Sequence, residues 1–320
     1  MRFRHVLAPT LLLAFVAFDA HASGWTVGEG QLIVKESFGY WSSDRKFAST
    51  IDEQLLFPMR TPSSPARGDR IPFDPVTAGR FTIFGATTSV SYGVLPWLDL
   101  SASLPVLRVD FDTASRAGDP QAAGDVVDAR VGLGDLLAGV KLRVARGTGW
   151  VGAIKMEAKI PTGRFDPNAW QTPITEGQTD LSGMTQVGVS LGRFGYAGAS
   201  AGYKLRLRKA SNQFAPGDEV VLAAELGANL PYRLMVKAAA DALLGQPGTI
   251  GFADSEWPRR RLFSLWGGVV WKATPNTSMD ASLRWLIAGE NFPTGLPLFV
   301  GVTHAFDLRP SPQRERQLPR

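Results

Sequence analysis

The sequence predicts an all-β fold, a transmembrane antiparallel up-and-down β-barrel of the outer-membrane type with about twelve strands. Three observations predict it: apolar and polar residues alternate with a period of two, the alternating segments are about ten residues long, and long and short connections alternate. The chain has 320 residues, 44% of them hydrophobic, and a mean hydropathy of −0.02. Neither a disordered chain nor a helical membrane protein has this composition.

Residues 1–22 have the layout of a secretory signal peptide. Arg2 and Arg4 precede an apolar run from Val6 to Phe18, and the sequence Ala20-His21-Ala22 provides a small-residue cleavage site. The apolar run is shorter than the roughly 20 residues that a transmembrane helix needs. We therefore expect cleavage after residue 22 and export across the inner membrane to the outer membrane.

The clearest alternating segment runs from Trp150 to Ile160. Its even positions are apolar or glycine, whereas Lys155, Glu157 and Lys159 occupy odd positions. On a helix, residues two apart are separated by about 200°, so these charges would lie on different faces. A strand places all three on one face, and the segment is predicted to be a strand.

About twelve such segments follow one another along the chain. They are expected near 29–41, 79–93, 98–111, 131–145, 150–161, 181–194, 196–209, 219–230, 233–245, 261–272, 277–290 and 297–308. The long connections include 42–78, 112–130, 162–180 and 246–260, and the short ones 94–97, 146–149, 195, 231–232 and 273–276. Tight periplasmic turns and long outer loops alternate in this way in outer-membrane barrels. The barrel domain is expected to span 23–308, followed by a disordered periplasmic tail at 309–320.

Aromatic residues are expected to form a girdle at each membrane interface. Those beside the tight turns are Trp97, Trp150, Phe194, Tyr196, Tyr232, Trp271 and Phe306, and those at the opposite strand ends are Phe38, Tyr40, Trp41, Phe81 and Phe111. The alternative is a secreted soluble β-sandwich. Its strands would run about five or six residues, and it would need no girdles.

Several kinds of chemistry are disfavoured by composition. The chain has no cysteine, which excludes disulfides, thiolate metal sites and a cysteine nucleophile. Of three histidines, His5 and His21 leave with the signal peptide, so only His304 remains. The net charge is only +5 and no basic block dominates, so nucleic acid is not an expected partner. Gly132-Leu133-Gly134 lacks the rest of a dinucleotide fingerprint, and we expect neither a cofactor nor a metal.

The polar strand faces predict the residues that line the lumen. These are Asp135, Lys141, Arg143, Lys155, Glu157, Lys159, Lys204, Arg206, Glu225, Arg233, Lys237, Asp241, Asp280 and Arg284. Their basic excess would favour anions in an open lumen, whereas mutual pairing would only satisfy a closed interior. Asp135 is expected where the fourth strand leaves a long loop, facing inward. It would either pair with a base on a neighbouring strand or serve the solubility of the rim.

Three runs resemble a known family of outer-membrane barrels, the one assigned to the meta pathway of phenol degradation. They are GLGDLLAGVKLR at 132–143, AKIPTG at 158–163 and GASAGYK at 198–204. The resemblance covers most of the mature chain in order and spacing. It implies a transport-related barrel and passage of small aromatic or hydrophobic compounds.

The leading functional hypothesis is a passive outer-membrane channel for small molecules. Its partners would be the lipid bilayer, the outer-membrane assembly machinery and the solute. Residues 42–78 would act as a constriction or lid, with Ile51–Phe57 in the barrel mouth. A non-conducting structural or adhesive barrel is one alternative. An outer-membrane hydrolase is another, but the usual base is histidine, and His304 is near the periplasmic end; other general bases exist, and no enzyme activity is expected.

Overall fold

A computed structural model describes residues 24–49, 66–72, 80–113, 126–163, 174–207, 214–250 and 255–309. The expected signal peptide at 1–22, the 51–57 segment and residues 310–320 of the expected tail lie outside the described residues. Within the described ranges, no helix is long and apolar enough to cross a membrane.

Twelve antiparallel strands form a closed barrel, which confirms the predicted fold class. They are β1 Gln31–Ser43, β2 Arg80–Leu95, β3 Leu98–Thr113, β4 with two segments Val126–Leu133 and Leu136–Gly147, β5 Trp150–Ile160, β6 Asp180–Ser190, β7 Gly195–Arg206, β8 Glu219–Asn229, β9 Leu234–Gly245, β10 Arg261–Trp271, β11 Thr277–Glu290 and β12 Leu298–Asp307. Each strand pairs with its sequence neighbours, and β1 also pairs with β12, which closes the barrel.

Long and short connections alternate as predicted. Tight turns join β2 to β3, β4 to β5, β6 to β7, β8 to β9 and β10 to β11, and the start of β1 and the end of β12 lie at the same end of the barrel. The longer connections lie at the opposite end. Two small three-stranded sheets form there, one from Arg45–Phe47, Arg70–Pro72 and Phe292–Pro293, the other from Phe214–Ala215, Gly248–Ile250 and Ser255–Trp257. We call the two ends the tight-turn end and the long-loop end.

The apolar strand faces form the outer surface of the barrel. Ile154, Val236 and Leu283 are 40%, 41% and 45% exposed, respectively. The side chains of Lys155 and Lys237, which alternate with them, are only 23% and 26% exposed. A barrel has only these two faces, so the charged face is the interior. This is the arrangement that a surrounding lipid phase requires.

A substitution pair on β9 tests this orientation. Replacing Val236 with Arg puts a cation on the outer face, and we expect the free energy of unfolding in lipid vesicles to fall by about 2–4 kcal/mol. Ala239 lies on the inner face and pairs in the ladder with Glu225, so Ala239→Arg should cost much less. Urea titration of both variants gives the comparison, and equal losses would contradict the orientation.

The fourth strand begins earlier than predicted and is interrupted at Gly134 and Asp135. The first segment pairs with residues 106–113 of β3 and the second with residues 98–103. At the break, the Gly134 N–H donates to the carbonyl of Pro105 at 2.8 Å. Pro105 has no N–H to return, and the ladder is lost at this point. Asp135 therefore lies in a gap within the strand, not at its beginning.

Thr162 compensates for this interruption from the end of β5. Its hydroxyl donates to the carbonyl of Gly134 at 2.8 Å and accepts from the N–H of Leu136 at 3.0 Å. Two backbone groups that the ladder leaves unpaired are thus satisfied by one side chain. The Pro161-Thr162-Gly163 run accordingly has a structural role at the end of a strand.

Some aromatic residues depart from the predicted girdles. Trp97, Trp150, Phe194, Tyr232, Trp271 and Phe306 are exposed beside the tight turns, and Phe38 and Tyr40 are exposed near the opposite end of β1. Tyr196 instead faces inward, where its hydroxyl donates to Glu225. Trp41 and Phe81 are fully buried inside the barrel. They belong to an apolar cluster at the long-loop end formed by Trp41, Phe47, Phe81, Ile83, Leu107, Val109, Ile174, Leu243, Leu262, Leu286 and Phe292.

Candidate channel lumen

Ion pairs line the middle of the barrel interior and remain partly accessible. They are Lys155–Glu157 at 2.6 Å, Lys237–Glu225 at 3.1 Å and Lys35–Asp280 at 3.7 Å. In the first pair the side chains are 23% and 25% exposed. Because the residues face inward, this exposure means that the interior of the barrel has room for water.

The wall formed by β1, β2 and β3 carries small hydroxyl side chains at the same height. Those on the inner face by strand alternation are Ser37, Thr87, Ser89, Ser91, Ser101 and Ser103. Ser89 and Ser103 share a hydrogen bond of 2.9 Å between their hydroxyls. Small polar side chains leave space inside a barrel of this strand number, which larger residues would fill.

A group of charges with little exposure, the mouth ion cluster, lies inside the long-loop end. Its members are Asp135, Lys159, Glu176, Asp180, Lys204, Arg206, Glu219 and Arg260. Glu176 is at its centre: it accepts from Lys159 at 2.9 Å, from Arg260 at 3.0 Å and from Arg206. Around it, Lys159 lies 2.8 Å from Asp180 and 3.7 Å from Asp135. Glu219 contacts Arg206 at 3.1 Å and Lys204 at 3.3 Å, and it also pairs with Arg260.

Glu176 belongs to the loop between β5 and β6, which folds into the barrel. Ile174, Thr175 and Gln178 of the same loop are also buried, and Ile174 joins the apolar cluster. Burial would raise the pKa of the Glu176 carboxyl, but Arg206 and Lys159 hold the pKa below its ordinary value. The loop is thus anchored by a carboxylate among cations.

The sequence had indicated a different loop, 42–78, as the lid. Its described parts do lie at the long-loop end, where Phe47 is buried in the apolar cluster beside Trp41 and Phe292. The residues 174–179 were missed as a closing element. They carry no strand periodicity, and no residue pattern in the sequence marks them as buried.

At the tight-turn end, residues 24–30 lie along the inner wall, and we call them the N-terminal strap. The Val27 N–H donates to an Asp99 carboxylate oxygen at 2.9 Å, and the Lys141 ammonium donates to the Trp25 carbonyl at 3.3 Å. The Trp25 ring packs against Gly188 and meets Tyr196 edge-on, with 6.0 Å between ring centroids. A side chain at 188 would come within 2.3 Å of the Trp25 ring, so glycine is required there.

The strap crosses the inner wall from β2 to β6. Gly30 bonds to Gly93 on β2, and Gly24 packs against Val151 and Gln186 on β5 and β6. Residues 29 and 30 form a turn that leads into β1, with the Gln31 N–H bonded to the Gly28 carbonyl at 2.9 Å, so residues 24–28 make the crossing. The strap therefore thickens one side of the lumen wall from β2 to β6.

A second buried ion pair fixes the wall between β9 and β11. Arg284 donates to Asp241 at 2.7 Å and to the Ser264 hydroxyl at 2.9 Å, and Ser264 donates to the other Asp241 oxygen at 2.8 Å. The guanidinium lies 4.8 Å from the ring centre of Trp266. Arg284, Asp241 and Ser264 bond to one another in this arrangement, which favours a structural role for this pair.

The remaining residues predicted to line the lumen lie near the tight-turn end. Arg143 is partly buried where the register between β4 and β5 shifts. Arg233 is not on an inner strand face, contrary to the expectation. It lies in the exposed turn before β9 with φ of 62° and donates to the Ala273 carbonyl at 3.3 Å. The alternation had been extended one residue past the strand.

The interior acids that the prediction omitted offset the expected basic excess. Asp180 and Glu219 begin β6 and β8 on the inner face, where strand alternation continued to the strand ends would have found them. Glu176 and Arg260 lie in loops, beyond the reach of any periodicity. With these residues included, bases and acids are largely paired within the described interior.

No site for metal or histidine chemistry stands out among the described residues. They contain no group of three or more His, Cys, Asp or Glu side chains arranged to hold a metal ion. His304 shares a 2.8 Å hydrogen bond with the Thr277 hydroxyl and packs against Phe306.

The barrel is similar to solved outer-membrane proteins. Over 88% of this chain and 97% of the other, it matches the COG4313 outer membrane channel from Pseudomonas putida F1, with a TM-score of 0.67 and 13% sequence identity. The NanC porin matches with a TM-score of 0.47 and 8% identity, over 84% of this chain and 98% of that one. The first likeness shows a shared fold. No curated protein sequence matches the chain. Residues 76–300 match the family model described as "Putative MetA-pathway of phenol degradation", and the chain belongs to this family.

Proposed function

We propose that the protein is a passive channel of the outer membrane for small molecules, including aromatic or hydrophobic compounds. The observation that carries the proposal is the accessible mid-barrel interior. Charged side chains face inward there and keep up to about a quarter of their surface accessible, while the outer surface is apolar. A barrel with only a scaffolding role does not need polar, accessible space at this depth.

Two closures bound this space, and both are made by chain segments and not by the barrel wall. The loop carrying Glu176 closes the long-loop end, and the N-terminal strap narrows the tight-turn end. The mouth ion cluster and the apolar cluster occupy interior space at that level, so movement of the loop would widen the passage. Loops at this position commonly set the access to such barrels.

The solute class is supported by the family description, which refers to phenol degradation. The Pseudomonas putida protein with the shared fold is named an outer membrane channel. Pairing of most interior charges favours weak charge selectivity over the anion preference that a basic excess would produce.

Planar-bilayer recording of the purified, folded protein tests the proposal. We expect discrete conductance steps with a reversal potential near zero in a salt gradient. Liposome swelling with small neutral solutes supplies a second measurement, and protein-free liposomes are the control. If the folded protein gives neither conductance nor swelling, the barrel is non-conducting and the proposal is wrong.

A further inference from the structure

The regular ladder between β11 and β12 stops short of the long-loop end. Their ladder ends at the pair Leu283 and Leu298, although β11 continues to Glu290. Beyond this point the segment 291–297 lies beside β11 in place of β12. Two backbone hydrogen bonds join it to β11: the Arg284 N–H donates to the Pro297 carbonyl at 2.9 Å, and the Leu286 N–H donates to the Gly295 carbonyl at 3.4 Å. Pro293 and Pro297 provide no N–H groups, so a regular ladder cannot form here.

A wide-open cavity of about 640 Å³ lies along this irregular stretch. It is lined by Arg70, Leu265, Trp266, Gly267, Leu283, Trp285, Leu286, Thr294, Gly295 and Leu296. Residues of both strand faces take part, since Leu283 and Trp285 are exposed on the outer surface and Leu286 is buried inside. The volume lies in the range of small-molecule sites, about 300–1,000 Å³.

Trp266 gives the cavity a rigid aromatic wall. Its indole N–H donates to Asp241, its ring stacks on Phe299 with 5.5 Å between centroids, and Arg284 lies against it. A ring held by three contacts has little freedom to lose when a ligand packs on it. Because Phe299 stacks on the ring and Arg284 lies over it, an aromatic ligand would meet the edge of Trp266, an arrangement that aromatic pairs also favour.

Among the described residues that line the cavity, Arg70 is the one with a charged side chain. Its guanidinium lies 5.8 Å from the ring centre of Phe47, and no described acidic side chain pairs with it. An exposed guanidinium at the edge of an apolar cavity suits a carboxylate or a similar planar anion, which arginine can bind through two parallel hydrogen bonds.

We propose that this wall cavity binds small aromatic molecules that carry one anionic group. The ring would lie against Trp266 and the apolar side chains, and the anion would face Arg70. The inference rests on the proposed function, because it names the kind of solute that the channel takes up.

Calorimetric titration of the purified barrel with benzoate tests the site without requiring transport. We expect saturable binding of benzoate and weaker binding of cyclohexanecarboxylate, which keeps the charge but lacks the aromatic ring. Arg70→Gln should weaken benzoate roughly tenfold and leave benzyl alcohol unchanged, since only the charged contact is lost. No saturable binding of benzoate, or equal affinity in Arg70→Gln, would overturn the proposal even if the protein conducts ions.

The chain offers a matched pair of variants for the cavity itself. A β-carbon at Gly267 or at Gly183 would meet no atom within 4 Å, but only Gly267 lines the cavity. Gly267→Leu should abolish benzoate binding, whereas Gly183→Leu should keep it. Equal binding by the two variants would contradict the site. A co-purified lipid that Gly267→Leu releases and benzoate does not displace would make the cavity a lipid site and overturn the proposal.

Discussion

Deletion of residues 25–29 is expected to raise the single-channel conductance severalfold. These residues thicken the wall from β2 to β6 at the tight-turn end, and a narrow water-filled passage gains conductance steeply with its cross-section. Planar-bilayer recording at fixed salt measures the change. Asp99→Ala removes the carboxylate that holds Val27 and should give a smaller increase in the same direction.

Trp97→Ala provides the control for this experiment. Trp97 also lies at the tight-turn end, but it is exposed on the outer surface. Its removal should leave the conductance unchanged. If the deletion and Asp99→Ala both conduct like the parent protein, the strap does not narrow the passage.

Replacement of Glu176 by Gln is expected to lower the free energy of unfolding by about 3–5 kcal/mol, as when one partner of a buried ion pair is lost. The substitution removes the anion shared by Lys159, Arg206 and Arg260, which remain buried. The loop should also leave the barrel more often, so we expect more frequent channel opening. Urea titration in lipid vesicles and bilayer recording measure the two effects.

The Glu157→Gln variant is the matched control, because it is the same chemical change on a partly accessible pair. Glu157 contacts Lys155, and both side chains keep about a quarter of their surface accessible. Exposed pairs of this kind contribute about 0–1 kcal/mol. A loss in Glu176→Gln no larger than in Glu157→Gln would show that the mouth ion cluster does not anchor the loop.

The effect of Glu176 should depend on pH in one direction. Its pKa in the folded protein lies below the ordinary value of 4.5, so its contribution to stability is complete above that value. The contribution is lost as the pH falls through the lowered pKa of the folded state. The difference between the parent protein and Glu176→Gln should therefore be large at neutral pH and shrink in strong acid. A difference that grows in acid would contradict this.

Strand alternation predicted the inner and outer faces wherever the ladder is regular. Trp41 illustrates its strength: it shares the odd positions of Lys35, Ser37 and Gly39, so alternation places it inside, as observed. The predicted girdle placed Trp41 outside because it included every aromatic residue near a strand end, whichever face of the strand the residue occupies. Side-chain direction decides the face, and residue type alone does not.

Features that depend on contacts distant in sequence could not be predicted from period-two patterns. The break at Gly134 follows from Pro105 on the neighbouring strand. The extra residue of β11 opposite Phe263 and Ser264 is Ile287, so the alternation that keeps Arg284 and Leu286 on the inner face ends there. The burial of Glu176 depends on cations supplied by β5, β7 and the segment before β10.

The enclosed position of residues 24–30 constrains the order of assembly. The ring closes where the first strand meets the last, and the segment preceding the first strand already lies inside it. A seven-residue stretch fixed to the opposite wall would have to be threaded inward if the seam formed first. We therefore expect Trp25 to be docked on Gly188 before the seam closes, which makes residues 24–30 a template for the half-formed sheet.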